Sequence, residues 1–214
     1  MTGAGCAHVA ITGYLVVVCR FFRKKSYASA KKRSRIGKEF LEWNRKDDGQ
    51  HVTEDHRFYK HNGIDIIAIG RATINDIKAM SFVEGGSTIT QQLSKNIYFT
   101  QEKKITRKIA EVFMSFEIEK NYNKDEILEL YLNTSYFGEG CYTVKEASRK
   151  YFGKEPKKMT DYEAIMLAGI PNAPSVYSLT KNPELAKQRQ KQVINKMIEY
   201  KYLTQSEADK ILEQ

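Results

Sequence analysis

Cysteine and proline are scarce in this 214-residue chain, which has three of the first and four of the second. Cys6, Cys19 and Cys141 are widely spaced and form no C-x-x-C pair, so the sequence predicts neither a disulfide framework nor a zinc site. Cys141 lies in an aromatic, glycine-containing stretch and is predicted to pack as a small hydrophobic side chain. No internal repeat or low-complexity linker follows residue 50, which favours one domain with appendages.

Charged residues are absent from the first 19 positions. Residues 20–38 then contain nine basic side chains and no acidic one, so the whole formal charge of +9 belongs to this segment. From Glu39 onward basic and acidic residues balance, which argues against a nucleic-acid-binding domain. A basic run beside an apolar stretch is more typical of a membrane surface or of a solvated tail.

A membrane-spanning helix needs roughly 20 apolar residues, and the apolar stretch at residues 9–19 is shorter than that. Adding residues 3–8 gives the length but lowers the hydrophobicity. The basic run follows the apolar stretch, whereas a secretory signal has its positive charge in front. We expect a membrane-associating segment here, the alternative being a truncated or misjoined N-terminus. The predicted boundaries are an atypical N-terminal segment at 1–50 and a domain at 51–214.

Helical signals dominate the rest of the chain, and strand-like alternation is scarce, which predicts an all-α domain. Ile109, Val112, Phe113 and Phe116 recur on one face of a helix. Helix starts are predicted at three pairs of a capping residue and a Glu three positions later: Asn123–Glu126, Thr160–Glu163 and Thr204–Glu207.

The C-terminal third has further helix boundaries. Gly169 and Pro171 are predicted to close the helix that starts at Thr160. Asn182 and Pro183 are predicted to open another one. Its predicted core contacts are Leu185, Val193, Met197 and Tyr200.

Three polar segments are candidates for chemistry. The first is TEDHRFYKHNG (53–63). Its acidic residues follow a Thr, and the alternative to a functional role is that they are first-turn helix charges. His56 and His61 are five positions apart and so do not share a helix face, which makes a zinc site unlikely here.

The second segment is EGGSTITQQLSKN (84–96), in which two glycines lead into a helix capped by Ser87 or Thr88. Gln91 and Gln92 supply amides suited to sugar hydroxyl and acetamido groups, and Lys95 supplies a compact charge for phosphate. The third segment is KKITRKIAE (103–111). It allows either a surface ion pair between Arg107 and Glu111 or a cationic cluster around one carboxylate.

Taken in order, these segments and KDEILELYLN (124–133) resemble the motif series of the peptidoglycan glycosyltransferases, also called transglycosylases or glycosyltransferase family 51. YFG (136–138), LAGIPNAPS (167–175) and Tyr177 extend the resemblance, which covers about residues 53–178. Four such motifs in order are highly specific. With no penicillin-binding half in the sequence, the chain is similar to the monofunctional members. The resemblance implies a lysozyme-like helical fold with a small membrane-facing lobe.

The resemblance also implies the reaction, which is polymerisation of lipid II into glycan strands. Glu54 matches the general base, and Glu111 matches a second essential carboxylate that we expect to orient cations. Lys95, Lys103 and Arg107 are expected to stabilise the leaving pyrophosphate, with Mg²⁺ or Mn²⁺ as a candidate divalent cation and unknown metal ligands. The remaining positions expected to line the substrate cleft are Asp55, Arg71, Ser87, Gln91 and Gln92.

Partners and location follow from the same resemblance. We expect lipid II, the growing glycan strand, the membrane surface and penicillin-binding transpeptidases as partners, and no nucleic acid. The catalytic domain is expected on the outer face of the bacterial cell membrane. The segment 73–84 is expected beside the substrate groove in contact with lipid. Lys124, Tyr131 and Asn133 of the fourth motif are expected to serve mainly in packing.

Two other classes of function fit part of the sequence. A lysozyme-like lytic enzyme shares a helical architecture and a catalytic Glu but does not require cations for a pyrophosphate. A non-catalytic basic protein, bound to a membrane surface or to nucleic acid, would depend on residues 1–38. The chain also departs from the family at residues 44–52, which are polar and turn-like where the family has an apolar helix that supports the first Glu.

Overall fold

The computed structural model describes residues 54–79, 86–99 and 105–213. Within these ranges the chain forms α-helices and no strand, which confirms the all-α prediction. Three short 3-10 helices lie at Phe58–Lys60, Pro156–Lys158 and Ile170–Asn172. In the described ranges there are eight α-helices, namely α1 (Ile66–Ala79), α2 (Ile89–Tyr98), α3 (Ile105–Asn121), α4 (Lys124–Leu132), α5 (Val144–Phe152), α6 (Asp161–Gly169), α7 (Pro183–Glu199) and α8 (Gln205–Leu212). The apolar and basic N-terminal runs lie outside the described residues.

The three predicted capping pairs are all present, at the starts of α4, α6 and α8. In each, the capping side chain accepts a hydrogen bond from the backbone of the Glu, and the Glu side chain accepts one from the backbone of the cap. These reciprocal bonds satisfy donors that a helix start otherwise leaves unpaired. Helix α7 also begins at Pro183 as predicted.

The main core surrounds α4, from which Ile127, Leu128, Tyr131 and Leu132 are buried. Residues of α2, α3, α5 and α6 pack on them, and Cys141 belongs to this cluster as predicted. A second cluster fills the space between α6, α7 and α8. Helix α6 contributes side chains to both clusters and therefore joins the two parts of the fold.

Helix α7 confirms most of its predicted core contacts. Val193 and Met197 are fully buried, and Tyr200 packs partly buried against the second cluster. The prediction for Leu185 is wrong, because this side chain is 40% exposed and Ala186 is buried instead. Both residues are apolar, so the sequence did not indicate which of the two faces the core.

Helix α3 has its apolar row on the outside. Ile109, Phe113 and Phe116 are all about half exposed, whereas the buried face has Glu111, Met114, Ser115 and Ile118. The spacing predicted the helix correctly, but the inward face is the partly polar one. Ile66, Ile67 and Ile74 of α1 are exposed as well. Among the described residues, no helix combines the length and the hydrophobicity needed to cross a membrane.

Gly63 packs between α3 and the start of α2. Its φ is +87°, and a Cβ built there would lie 3.2 Å from the backbone and the hydroxyl of Ser115. Its carbonyl accepts a hydrogen bond of 2.6 Å from the Thr88 hydroxyl. Any side chain at this position would therefore be strained by the backbone conformation and crowded by α3 at once.

We predict that Gly63→Ala destabilises the fold more than Gly153→Ala. Gly153 has a φ of +67° and open space around it, so alanine there meets only the conformational penalty of about 1–2 kcal/mol. Alanine at Gly63 adds the contact with Ser115. Urea unfolding of the two variants measures the difference, and equal losses would contradict the crowding.

Candidate active site

Glu54 and Asp55 come directly before a turn of the chain. Both are helical, and the chain then turns at residues 56 and 57 before the 3-10 helix Phe58–Lys60. The alternative interpretation of these acids as first-turn charges is wrong, because no α-helix continues from them. Their carboxylates instead lie beside α2.

Asp55 connects the first segment to the second. One of its carboxylate oxygens accepts a hydrogen bond of 3.1 Å from the backbone N–H of Ile89, in the first turn of α2. Both oxygens also lie within 3.0 Å of His61 Nε2. A carboxylate at a helix N-terminus is favoured by the unpaired N–H groups and by the helix dipole. Asp55 therefore supports the site structurally.

Glu54 is buried, with 8% of its side chain exposed. Gln92 Nε2 donates a 3.0 Å hydrogen bond to its Oε2, and Arg189 Nη2 lies 3.8 Å from its Oε1. Burial raises the pKa of Glu54, while the hydrogen bonds from Gln92 and Asn172 and the charge of Arg189 oppose the shift. A carboxylate with a raised pKa is a stronger base, and its pKa lies closer to neutral pH.

Gln92 is held in one orientation by Tyr131. The Tyr131 hydroxyl lies 3.2 Å from Gln92 Oε1 and donates to it, which leaves the amide NH₂ for Glu54. Burial raises the pKa of Tyr131, so the phenol keeps its proton. Tyr131 is a core residue, as expected for packing, but it also orients a residue of the site.

Gln91 has different hydrogen-bond partners from its neighbour Gln92. It is buried, and its side chain accepts a hydrogen bond of 3.0 Å from the backbone N–H of Thr88, completing the cap of α2. Thr88, and not Ser87, is the N-cap residue. Gln91 was expected to line the substrate cleft. In the structure its amide oxygen accepts the hydrogen bond that caps the start of α2.

Glu111 lies at the centre of a cationic cluster. Its side chain is 2% exposed, Arg107 Nε lies 2.9 Å from Oε1, and Lys108 Nζ lies 3.2 Å from Oε2. Lys108 also donates a hydrogen bond of 2.7 Å to the Ser87 hydroxyl. Of the two arrangements left open by the sequence, the structure has the cluster around one carboxylate.

The other predicted cations are placed differently. Lys95 lies on α2 and is partly exposed, and Arg71 is exposed on α1. Lys103 lies outside the described residues. Sequence reasoning treated Lys108 only as a neighbour, although its spacing of three from Glu111 allowed the ion pair.

Arg189 of α7 is a residue of the site that sequence reasoning missed. Its side chain is 15% exposed, its Nε donates to the Gly169 carbonyl at 3.4 Å, and its guanidinium lies 5.6 Å from the centre of the Tyr177 ring. A Cβ at Gly169 would lie 2.8 Å from Arg189 Cγ. Helix α6 does end at Gly169 as predicted, but with a φ of −79° this glycine provides space for the arginine and not a left-handed turn.

Asp55, His61 and Asp65 could each offer an atom to one metal ion, since these atoms lie within 4.8 Å of one another. Their ligand atoms are already in use. Asp65 accepts hydrogen bonds from the backbone N–H groups of Ile67 and Ala68 and pairs with Arg57, while Asp55 and His61 bond each other. The group therefore does not fit the oxygen-rich site that Mg²⁺ or Mn²⁺ prefers.

Comparison with known proteins shows the family of this chain. Residues 48–198 match a family model described as Transglycosylase, and the chain belongs to that family. It is 46% identical to penicillin-binding protein 2D of Bacillus subtilis (strain 168) over 161 residues, which are 75% of this chain and 23% of that protein. Penicillin-binding protein 1F of the same organism is 48% identical over 157 residues, 73% of this chain and 22% of that one.

A relative from a second organism gives the same result. Penicillin-binding protein 1A of Neisseria gonorrhoeae is 45% identical over 161 residues, which are 75% of this chain and 20% of that protein. The chain thus spans about a quarter or less of the length of these relatives.

We predict that Glu54→Gln makes the fold more stable at neutral pH. Because the folded-state pKa of Glu54 is raised above its usual value of 4.5, the native protein loses stability as the pH rises through the interval between the two. Glutamine has no proton to lose, so its advantage should grow across that interval and stay constant above it. Thermal unfolding of both proteins as a function of pH measures this; a difference that does not change with pH would contradict a raised pKa.

Proposed function

We propose that this chain polymerises lipid II into the glycan strands of peptidoglycan. The observation that carries the proposal is the pairing of a buried, hydrogen-bonded Glu54 with the cationic cluster around Glu111. Helix α2 connects the two, since Gln92 of this helix bonds Glu54 and Ser94 donates to the backbone carbonyl of Glu111. Membership of the transglycosylase family supports the same activity.

The proposed reaction is a single displacement. Glu54 accepts the proton of the GlcNAc 4-hydroxyl of the incoming lipid II, because a hydroxyl is a poor nucleophile near neutral pH. The hydroxyl oxygen forms a bond to C1 of the MurNAc at the end of the growing strand, and the bond from C1 to the pyrophosphate oxygen breaks. Attack from the opposite face inverts the α-linked donor into a β-1,4 product.

The leaving group determines the role of the second carboxylate. Undecaprenyl pyrophosphate leaves as an anion, so it needs positive charge and not a proton donor. Arg107 and Lys108 provide that charge, and Glu111 fixes where they lie. Lys95 and Lys103 are the further cations proposed for this role.

The binding of Mg²⁺ or Mn²⁺ remains a prediction. Such ions prefer carboxylate oxygens that are not already used by other partners. Among the described residues, Glu111 is bonded to two cations, and Asp55 and Asp65 accept hydrogen bonds from protein groups. No step of the proposed reaction therefore passes through a metal, and the cationic cluster is the group proposed to stabilise the leaving pyrophosphate.

A lytic, lysozyme-like activity is less well supported. Most glycosidases use a second carboxyl group that acts as an acid, a base or a nucleophile beside the cleaved bond. Glu111 is buried with both oxygens engaged by cations, so it is suited to neither role. The basic segment on which a non-catalytic function would depend lies outside the described residues.

We also propose that the domain works against the outer face of the bacterial cell membrane, with penicillin-binding transpeptidases as partners. The exposed isoleucines of α1, from Ile66 to Ile74, support contact with lipid beside the cleft. This helix includes the first part of the segment 73–84 that was expected there.

The main test is incubation of the purified protein with lipid II and a divalent cation, followed by separation of the products by size. We expect glycan polymer from the wild type and a loss of roughly 10²–10⁴-fold in rate for Glu54→Gln, since the base is removed while the shape is kept. Glu184→Gln is the control, because Glu184 is 78% exposed on α7. Soluble sugar released from finished peptidoglycan, without polymer from lipid II, would favour a lytic enzyme.

We further predict that Lys108→Gln lowers the rate of polymerisation about 10²-fold, the effect expected when one stabilising group for a developing anion is removed. Lys120→Gln is the matched control, an exposed lysine near the other end of α3. Initial rates at saturating lipid II measure both variants. Equal rates for the two would show that Lys108 only supports the fold.

A further inference from the structure

We propose that Tyr136 and Tyr142 form a sugar-binding surface for the growing glycan strand, beyond the two sugars that react; this inference rests on the proposed function. The two ring centres are 4.8 Å apart and the rings are tilted by 35°. Tyr136 is 39% exposed and Tyr142 is 57% exposed. Two large aromatic side chains in contact with each other therefore face solvent.

The turn between the two tyrosines is firmly anchored. Phe137 is fully buried, its N–H donates to the Cys141 carbonyl at 2.8 Å, and its own carbonyl accepts a bond of 2.9 Å from the Tyr151 hydroxyl. The backbone N–H of Tyr142 donates to Glu146 at 2.8 Å. The aromatic pair thus stands on a fixed support and needs little ordering when a ligand binds.

Glu139 adds a second constraint. Its φ of +52° lies in the left-handed region, which is unfavourable for a residue other than glycine. The conformation is held because Ser178 donates a hydrogen bond of 3.1 Å to the carboxylate and Lys150 donates one to the backbone carbonyl. An unfavourable backbone conformation of this kind persists only where neighbouring contacts hold it. Here the contacts of Ser178 and Lys150 hold the turn that connects the two tyrosines.

The turn is connected to Glu54 through the end of α4. Tyr136 directly follows Ser135, which donates to the carbonyl of Tyr131, and Tyr131 orients the Gln92 that bonds Glu54. Five residues span at most about 18 Å between the backbones of Tyr131 and Tyr136.

A second connection comes from the other side of the turn. A Cβ at Gly138 would lie 3.2 Å from the carbonyl of Pro174, two positions after the Asn172 that bonds Glu54. The tyrosine pair is therefore tied to the base through two separate stretches of chain.

Sugar chemistry suits this surface. A hexose ring has an apolar C–H face and a hydroxyl edge, and a tyrosine has an apolar face with a polar tip, so the two match when they stack. The acceptor is a single disaccharide, so it has only one sugar beyond the one that reacts, whereas the growing strand has many. We therefore assign this rigid aromatic surface to the growing strand.

Binding of an unreactive strand tests the proposal without catalysis. The probe is the hexamer of β-1,4-linked N-acetylglucosamine, titrated into the full chain by calorimetry. We expect the Tyr136→Ala/Tyr142→Ala double variant to bind about tenfold more weakly or worse, and the corresponding double phenylalanine variant to keep most of the affinity. Tyr202→Ala is the control, since Tyr202 is exposed at the turn between α7 and α8. Circular dichroism confirms that each variant is folded.

Strand length from lipid II is the second readout, and we expect shorter products from the double alanine variant. Unchanged affinity together with unchanged length would overturn the inference, as would a wild type that does not bind the hexamer. If the wild type makes no polymer but binds the hexamer through the two tyrosines, the proposed function fails and the sugar-binding surface stands.

Discussion

The contact between the Asp55 carboxylate and the start of α2 is the constraint on which the rest of the site depends. It connects the first polar segment to the second, and His61 holds the carboxylate from the other side. Because Glu54 is the preceding residue, this contact also determines that Glu54 lies beside Gln92, one turn into α2. Hydrogen bonds to charged groups contribute about 1.5–3 kcal/mol each, and an unpaired partner left buried costs more than the bond contributes. The site is therefore as rigid as the helix start to which it is bound.

The carboxylates of Glu54 and Glu111 differ in their surroundings. Glu54 has amide donors and one guanidinium at 3.8 Å, but burial is the largest influence on its pKa and raises it. Glu111 has a cation on each oxygen and instead fixes charges in place. Environments that separate the behaviour of two acids in this way indicate separate roles. The same fold thus has one buried carboxylate with a raised pKa and another that holds two cations.

Much of the fold could be predicted from the sequence, because its signals are local. The capping pairs of α4, α6 and α8 and the apolar residues of α4 depend on neighbours within one turn. The error at Leu185 of α7 concerns which of two neighbouring apolar residues turns inward, and the spacing in α3 predicted the helix but not which face is buried. The ordered motifs indicated the candidate residues around Glu54 and Glu111, but Arg189 was missed because it comes from a polar helix 135 positions beyond Glu54. Gln91 and Gln92 are adjacent and chemically identical, and only the packing of α2 separates the cap from the ligand of Glu54.

The buried position of Glu111 has a consequence for how an anionic substrate is recognised. Arg107 and Lys108 are both paired with the negative charge of Glu111. At a distance, the electrostatic field of the three residues is therefore weaker than that of two unpaired cations. The chain from Glu39 onward is also neutral overall. Long-range steering, which falls off over a Debye length of about 8 Å in physiological salt, therefore contributes little to capture by this part of the molecule. For the proposed pyrophosphate substrate, capture would then depend on short-range contact, which suits a ligand that reaches the site by diffusion along a surface and not through bulk water.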